Sequence, residues 1–374
     1  MAISSPFGFR ALTNIDLFVL SNELQLLKGS RVRKIYQYGE NEFRINFSVS
    51  GRGSVDVVII LPYTIHITKQ PRESSKEPSE FAMVLRKHLE NRKVEDASQW
   101  QWDRLFVFKF SEHMLIAEFF GKGNLILLDS ERKIITSSRQ EETRVRKIKR
   151  GEKYFMPEDR RNQPDDIPDF AEMAARENDR ERLHLIAFLS RKVNLPPFYW
   201  EEILFRIGAK PLVPIARCDA KIFSSISKHA KDFIEEVKRP SPILYHDGAY
   251  SVVPLKNRER QSSISFPSFS ELMDKIYSES TVQEISTTLL ERRAKVQHKL
   301  MQQRKHWEEL LAEVEENQKI GNLILENGRK INSIVEEYEK MKGKNLSICE
   351  IEKRLTSIFC SPVKIEKGML VIEL

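Results

Sequence analysis

The stretch FAMVLRKHLENRKVEDASQWQWDRLFVFKFSEHMLIAEFFGKGNLILLD, residues 81–129, decides the fold. It opens with an amphipathic helical pattern whose polar edge carries Arg86, Lys87 and His88. The pair Asp103-Arg104 then stands at the entry of the apolar run LFVFKF. Two further apolar runs follow, joined by Gly121-Lys122-Gly123-Asn124. That turn links strand to strand and not strand to helix, so it reads as a hairpin and not as a phosphate loop. A helix followed by antiparallel strands, with one ion pair at a strand entry, is the physical reading. Met83, Leu85, Leu89, Phe106, Phe108, Leu115, Phe119, Leu125 and Leu127 are the expected core of this stretch.

Upstream, residues 11–29 (ALTNIDLFVLSNELQLLKG) predict a helix capped by Thr13 or Asn14, with Asp16 in its first turn and Gly29 as its stop. Strands are predicted at 31–37, 42–48, 55–61 and 64–68, punctuated by glycines and Pro62. Downstream, 104–110, 115–119, 125–129 and 133–136 add more. The first domain is therefore α+β, spanning 1–170. Its tail is a polar segment with seven Arg/Lys, namely Arg139, Arg144, Arg146, Lys147, Lys149, Arg150 and Lys153, against Glu141, Glu142 and Glu152. A solvated loop and a phosphate-contacting loop both fit it.

Residues 171–240 read as helical: 183–189, 198–207 closed by Gly208, and 220–237. A helix-hairpin-helix and a plain helical bundle both account for the pattern. Residues 241–280 form a connecting insert with a strand pair. Residues 281–342 are a coiled-coil helix, and 343–374 begin a small cap with one helix and a hairpin. The heptad frame runs through Leu289, Val296, Leu300, Trp307, Leu310, Val314, Ile324, Ile331, Val335 and Tyr338, with Gly321 and Gly328 as its weak point. Arg292, Arg293, Lys295 and Lys299 lie on the basic half of this helix, which could extend an RNA-facing surface. No second long helix returns, so the mate is expected from a second chain, a second copy or a missing part of the same polypeptide.

Composition narrows the function class. The chain has 374 residues, net charge +7 and 31% charged residues, a bias that suits a polyanionic partner. Cys218, Cys349 and Cys360 form no CxxC pair, which speaks against a zinc site and a disulfide framework. No signal peptide is recognisable and no run approaches the roughly 20 apolar residues of a membrane span. GxGxxG, GxxxxGK[ST], HExxH and GxSxG are all missing, and no His pair stands at i, i+4. The expectation is a non-enzymatic cytoplasmic protein with no cofactor, no metal and no membrane.

A set of motifs carries a family resemblance: ALTNIDLFVLSNEL, FAMVLRKHLENRKV, WDRLFVFKF, AEFFGKGNLILLD, GEKYFMP, LPPFYWEEILFRIGA, FPSFSELMDKIYS and KIGNLILEN. In this order they resemble the NFACT family, which includes RqcH, FbpA and the nuclear export mediator factor. The resemblance implies an N-terminal domain similar in fold to formamidopyrimidine-DNA glycosylases, then a helix-hairpin-helix and a coiled coil with a middle cap. It implies binding to ribosomal RNA of the large ribosomal subunit carrying a stalled peptidyl-tRNA. It further implies recruitment of alanyl-tRNA for mRNA-independent C-terminal tailing. By resemblance, Asp16, Asp103 and Arg104 are the tRNA-binding residues. Arg86, Lys87, His88 and the basic clusters above are candidates for RNA-backbone contacts. The family's second coiled-coil helix and C-terminal RNA-binding module are not recognisable here, so the chain is expected to be a portion of a longer protein or one half of a split one. Two other readings are a fibronectin-binding surface adhesin and a glycosylase-like DNA-binding protein. The glycosylases use an N-terminal proline amine, whereas the first proline here is Pro6.

Overall fold

The structure, a computed structural model, describes residues 9–72, 77–143, 146–344, 346–367 and 369–373, and only the helical backbone of 280–294. Arg144 lies outside the described residues, as do the side chains of Arg292 and Arg293. The chain divides into two units, Met1–Glu284 and Ile285–Leu374.

In the first unit, α1 (Asn14–Leu24) leads into the sheet β1 (Arg31–Tyr38), β2 (Glu42–Val49), β3 (Gly53–Ile60) and β4 (Thr64–Thr68). After α2 (Glu80–Leu89) comes a second sheet, β5 (Asp96–Gln99), β6 (Leu105–Lys109), β7 (His113–Glu118), β8 (Asn124–Asp129) and β9 (Ile134–Ser137). Both sheets are antiparallel with strands in sequence order. They face one another, with Phe47 stacked on Phe108 at 5.9 Å between ring centroids. β6 to β8 are buried on both faces. Phe106, Phe108, Leu115, Ala117, Leu125 and Leu127 join the main core, while Leu105, Val107, Ile116, Ile126 and Leu128 pack on Ile148 and Tyr154 behind it. That double burial explains why these strands read as continuous apolar runs without alternation.

The polar segment after β9 folds into a short hairpin, β10 (Glu141–Glu142) and β11 (Lys147–Ile148). Then come α3 (Phe170–Ala175), α4 (Leu185–Lys192), α5 (Pro197–Arg206) and α6 (Ala220–Val237), and a three-stranded sheet in the order β13-β12-β14: β12 (Ile243–Tyr245), β13 (Tyr250–Ser251), β14 (Ser263–Ser265). The third strand of this sheet and β5 escape the sequence reading, because both are short and polar.

The long helix α7 (Phe269–Glu326) begins earlier than its heptad pattern. Phe269, Leu272, Met273 and Tyr277 are buried in the first unit's core, so its opening turns are a packed amphipathic helix and not a coiled-coil seam. α7 ends at Glu326, Asn327 interrupts, and α8 (Gly328–Lys342) follows. The helix expected to run uninterrupted across this point departs from helical geometry at Asn327, beside the second of its two seam glycines, with hydrogen bonds from Asn327 to Leu323 and from Ile331 to Asn327 on either side. Glycine lowers helix propensity by about 1 kcal/mol. In the second unit α8, α9 (Ile348–Phe359), β15 (Val363–Glu366) and β16 (Met369–Ile372) enclose a small core of Ile334, Met341, Ile351, Leu355 and Val363. On α7, Val296, Leu300, Trp307, Leu310 and Val314 are exposed. No helix among the described residues is long and apolar enough to cross a membrane.

Candidate nucleic-acid interface

Asp103 and Arg104 sit in the turn before β6, whose ladder starts at Leu105. They do not form the ion pair expected of neighbours. The Asp103 carboxylate accepts the backbone N–H of Arg104 at 2.7 Å. The Arg104 carbonyl accepts the Phe119 N–H at 2.8 Å, pinning the backbone to the sheet. The Arg104 guanidinium, half-buried, has no hydrogen bond or ion pair among the described residues. Burial pulls its pKa below the ordinary arginine value; Asp103 opposes the fall and Arg161 adds to it. An arginine that is partly desolvated and unpaired is a fork open to a carboxylate, a phosphate or a base edge.

The turn is held from three sides. Gln99 Nε2 donates to the Asp103 carbonyl at 2.8 Å and to the Asn14 carbonyl at 2.9 Å, tying β5 to the start of α1. Asn194, after α4, donates to the Trp102 carbonyl at 3.0 Å, and its own carbonyl accepts from Asn14 Nδ2 at 2.7 Å. Arg161 Nη2 donates to Asn194 Oδ1 at 2.8 Å, while Asp159 accepts from its Nε and Nη2 and the Ser190 carbonyl from its Nη1. Trp102 stacks on Phe18 of α1 at 4.4 Å. Beside the turn lies an open cleft of about 870 Å³, lined by Ser21, Gln99, Trp102, Arg161, Asp166 and Lys238 among others.

Asp16 occupies a different position. It is fully buried, and its carboxylate accepts from Thr13 N at 2.9 Å and Thr13 Oγ1 at 2.7 Å in a capping box. Arg10 holds both its oxygens in a fork, at 2.5 and 2.9 Å. The Arg10 guanidinium rests 4.5 Å over Tyr250 and 4.9 Å over Phe198. Burial, the largest single effect, would lower its pKa, but Asp16 together with Tyr250 and Tyr199 outweighs it and the net direction is up. Asp16 thus makes its contacts inside the protein. Its link to Asp103 runs through the α1 N-terminus and Gln99.

The other candidates separate in space. Arg86 donates to the Ile35 carbonyl at 2.7 Å and lies over Tyr36. Lys87 is exposed. His88 Nδ1 meets His113 Nε2 at 3.1 Å. Burial, assisted by neighbouring positive charge, lowers the pKa of both histidines. Arg139 donates to Asn41 at 3.1 Å. In the β10–β11 region Arg146 is paired with Glu118 and Glu141, Lys147 with Glu142 and Glu152, and Lys149 with Glu142. Arg150 is exposed. Three of the six described cations of the segment are thereby met by glutamates close by. Lys295 and Lys299 are exposed on α7. No group of three or more metal-ligating side chains occurs among the described residues. Sequence reading did not single out Arg10, Gln99, Arg161 or Asn194. For the first, the Thr13-x-x-Asp16 spacing was an available signal; Asn194 is 180 residues from Asn14 and left none.

Residues 13–366 match the family model described as NFACT N-terminal and middle domains. The archaeal Rqc2 homolog aRqcH of Methanocaldococcus jannaschii is 28% identical over 356 residues, covering 88% of this chain and 53% of that protein. The ribosome quality control complex subunit 2 of Saccharomyces cerevisiae is 33% identical over 133 residues, 34% of this chain and 13% of that protein. This chain therefore spans about half of the archaeal relative's length and a smaller share of the yeast one. Among solved structures, the N-terminal part of the fibronectin/fibrinogen-binding protein from Streptococcus suis matches with a TM-score of 0.58 at 24% identity, over 72% of this chain and 99% of that one. That likeness concerns the fold. The match of the family model across nearly the whole sequence makes this chain a member of the NFACT family, carrying its N-terminal and middle domains.

Proposed function

We propose that the chain is a cytoplasmic, non-enzymatic factor of ribosome quality control. It binds the large ribosomal subunit with its stalled peptidyl-tRNA and brings in a tRNA of the alanyl class for mRNA-independent tailing. Family membership and relatives named for ribosome quality control support the pathway. The observation that carries the tRNA contact is the Arg104 guanidinium, half-buried and unpaired among the described residues beside the Asp103 carboxylate. Arg104 takes a phosphate or base edge and Asp103 accepts from a base or ribose hydroxyl. Asp16 acts as a positioning residue, fixing the α1 end to which Gln99 ties the Asp103 turn. Exposed Lys87, Arg150, Lys295 and Lys299 add contacts to the RNA backbone. In this reading the first domain is glycosylase-like in fold, α4 and α5 form a helix-hairpin-helix, and the exposed apolar residues of α7 pair in a coiled coil with a second helix.

The test is co-sedimentation with large subunits carrying peptidyl-tRNA, followed by sequencing of the recovered tRNA. Arg104→Glu should cut tRNA recovery by roughly ten- to a hundredfold, the range of a lost specific contact, while sedimentation with the subunit persists. Undiminished tRNA recovery would sink the assignment.

A further inference from the structure

A second cluster lies away from Asp103 and Arg104, on the outer face of the first sheet. A register shift between Val32 and Lys34 leaves Arg33 and Lys34 both exposed in succession. Beyond it, Tyr36 pairs in register with Arg44, and Lys34 with Asn46. The Arg44 guanidinium lies 4.1 Å over the Tyr36 ring, and Arg86 lies 5.4 Å over the same ring. Arg44 is buried and its Nε forms an ion pair with Asp56 at 3.6 Å, too long for a hydrogen bond, so the N–H has no hydrogen-bond acceptor. Arg33, Lys34, Tyr36, Arg44, Asn46 and Asp56 line an open notch of about 560 Å³ together with Glu90 and Asn91. Arg33 and Lys34 make no ion pair among the described residues.

A buried donor without a partner costs about 1–3 kcal/mol. Arg44 lines a solvent-open notch with Asp56 as its sole ion-pair partner among the described residues, so its guanidinium has capacity left for an acceptor that enters there. The notch supplies cations of two kinds: a fork fixed on an aromatic ring, and two exposed chains free to wrap. An acceptor with several oxygens and negative charge satisfies both at once, and phosphate is that group. We propose that this notch is a second RNA site, which holds a backbone phosphate between Arg44 and the Arg33–Lys34 pair. The proposal rests on the RNA-binding reading above and adds a separate surface to it. Arg86 serves as a positioning residue: with its Nε fixed on the Ile35 carbonyl, it braces the Tyr36 ring on which Arg44 rests.

The test uses the purified chain and a fluorescein-labelled oligouridine, with affinity followed as a function of salt by fluorescence anisotropy. Each phosphate contact removed from a single strand lowers the slope of log affinity against log salt by about 0.7. Arg33→Gln with Lys34→Gln should weaken binding roughly tenfold and flatten that slope. Both residues are exposed, so the fold should hold. The control pair Arg52→Gln with Lys122→Gln removes the same charge from exposed turns elsewhere and should weaken binding far less. Arg44→Gln, if its thermal melt stays cooperative, should match the first pair. Inorganic phosphate at constant ionic strength should displace RNA from the wild type down to the level of the Arg33/Lys34 variant. Equal losses in the two pairs, no binding by the wild type, or binding of inorganic phosphate without RNA would each overturn the proposal. Retained tRNA selection with a lost salt slope, or the reverse, separates this site from that of Arg104.

Discussion

Glu23, in the last turns of α1, accepts the backbone N–H of Phe269 at 2.6 Å and of Ser270 at 2.8 Å, so a carboxylate 246 residues away caps the N-terminus of α7. Charge-assisted bonds to a helix N-terminus combine capping with the favourable field of the macrodipole. Glu23→Ala should cost about 1–3 kcal/mol. Urea denaturation followed by tryptophan fluorescence measures it. Serine at the same position would recover little, because a hydroxyl is too short to reach both N–H groups.

Asp16 with Arg10 makes a second prediction. Removing one partner of a buried pair leaves the other charged and desolvated, at about 3–5 kcal/mol. Asp16→Ala should destabilise the fold by that order. The pair Arg10→Met with Asp16→Leu should be milder than the sum of the two single changes, since no orphan charge remains. If Asp16→Ala melted like the wild type while losing tRNA, a direct contact role for Asp16 would replace the positioning one.

His66 gives a pH dependence. It is fully buried on β4, with Thr64 Oγ1 at 3.3 Å from Nδ1, Tyr277 beside the ring and Asp274 3.9 Å from Nε2. Burial lowers its pKa from 6.5 to about 3. The unfolded chain therefore takes up a proton below about pH 6.5 that the native state refuses, and stability falls with pH between those two values. The stabilisation is complete above the unfolded value and declines by up to about 1.4 kcal/mol per unit below it. Denaturation midpoints of the wild type and of His66→Asn, compared at pH 7, 5.5 and 4.5, isolate this contribution. Parallel curves would refute it.

How much was legible in the sequence follows from the range of each interaction. The α1 cap at Thr13, the hairpin at Gly121–Asn124 and helix α6 are local, and their residues announce them. The strand order of the first sheet follows from short turns. The Asp103–Arg104 ion pair was a misreading for a local reason as well: a turn offers Asp a nearer donor in the next backbone N–H. The basic segment at 139–153 looked open because the count of cations ignored a hairpin that sets glutamates against them. Asn194, Arg161 and the docking of α7 by Glu23 depend on contacts far apart in sequence, and polar residues in irregular segments carry no periodicity to reveal them.

Arg104 has a further consequence for how this protein can change. Its desolvation is borne by the free fold: the neighbouring Asp103 charge opposes it in part, but no hydrogen bond or ion pair to the guanidinium does so among the described residues. A neutral replacement there would remove the desolvation cost, the largest of the three effects, together with the repulsion from Arg161, and would give up the attraction of Asp103. Selection for stability alone would therefore erode this position, whereas Asp16 would be retained under either pressure. The two acidic and basic positions that look alike as a functional set are thus kept by different forces: one by folding, the other only by the encounter with a ligand.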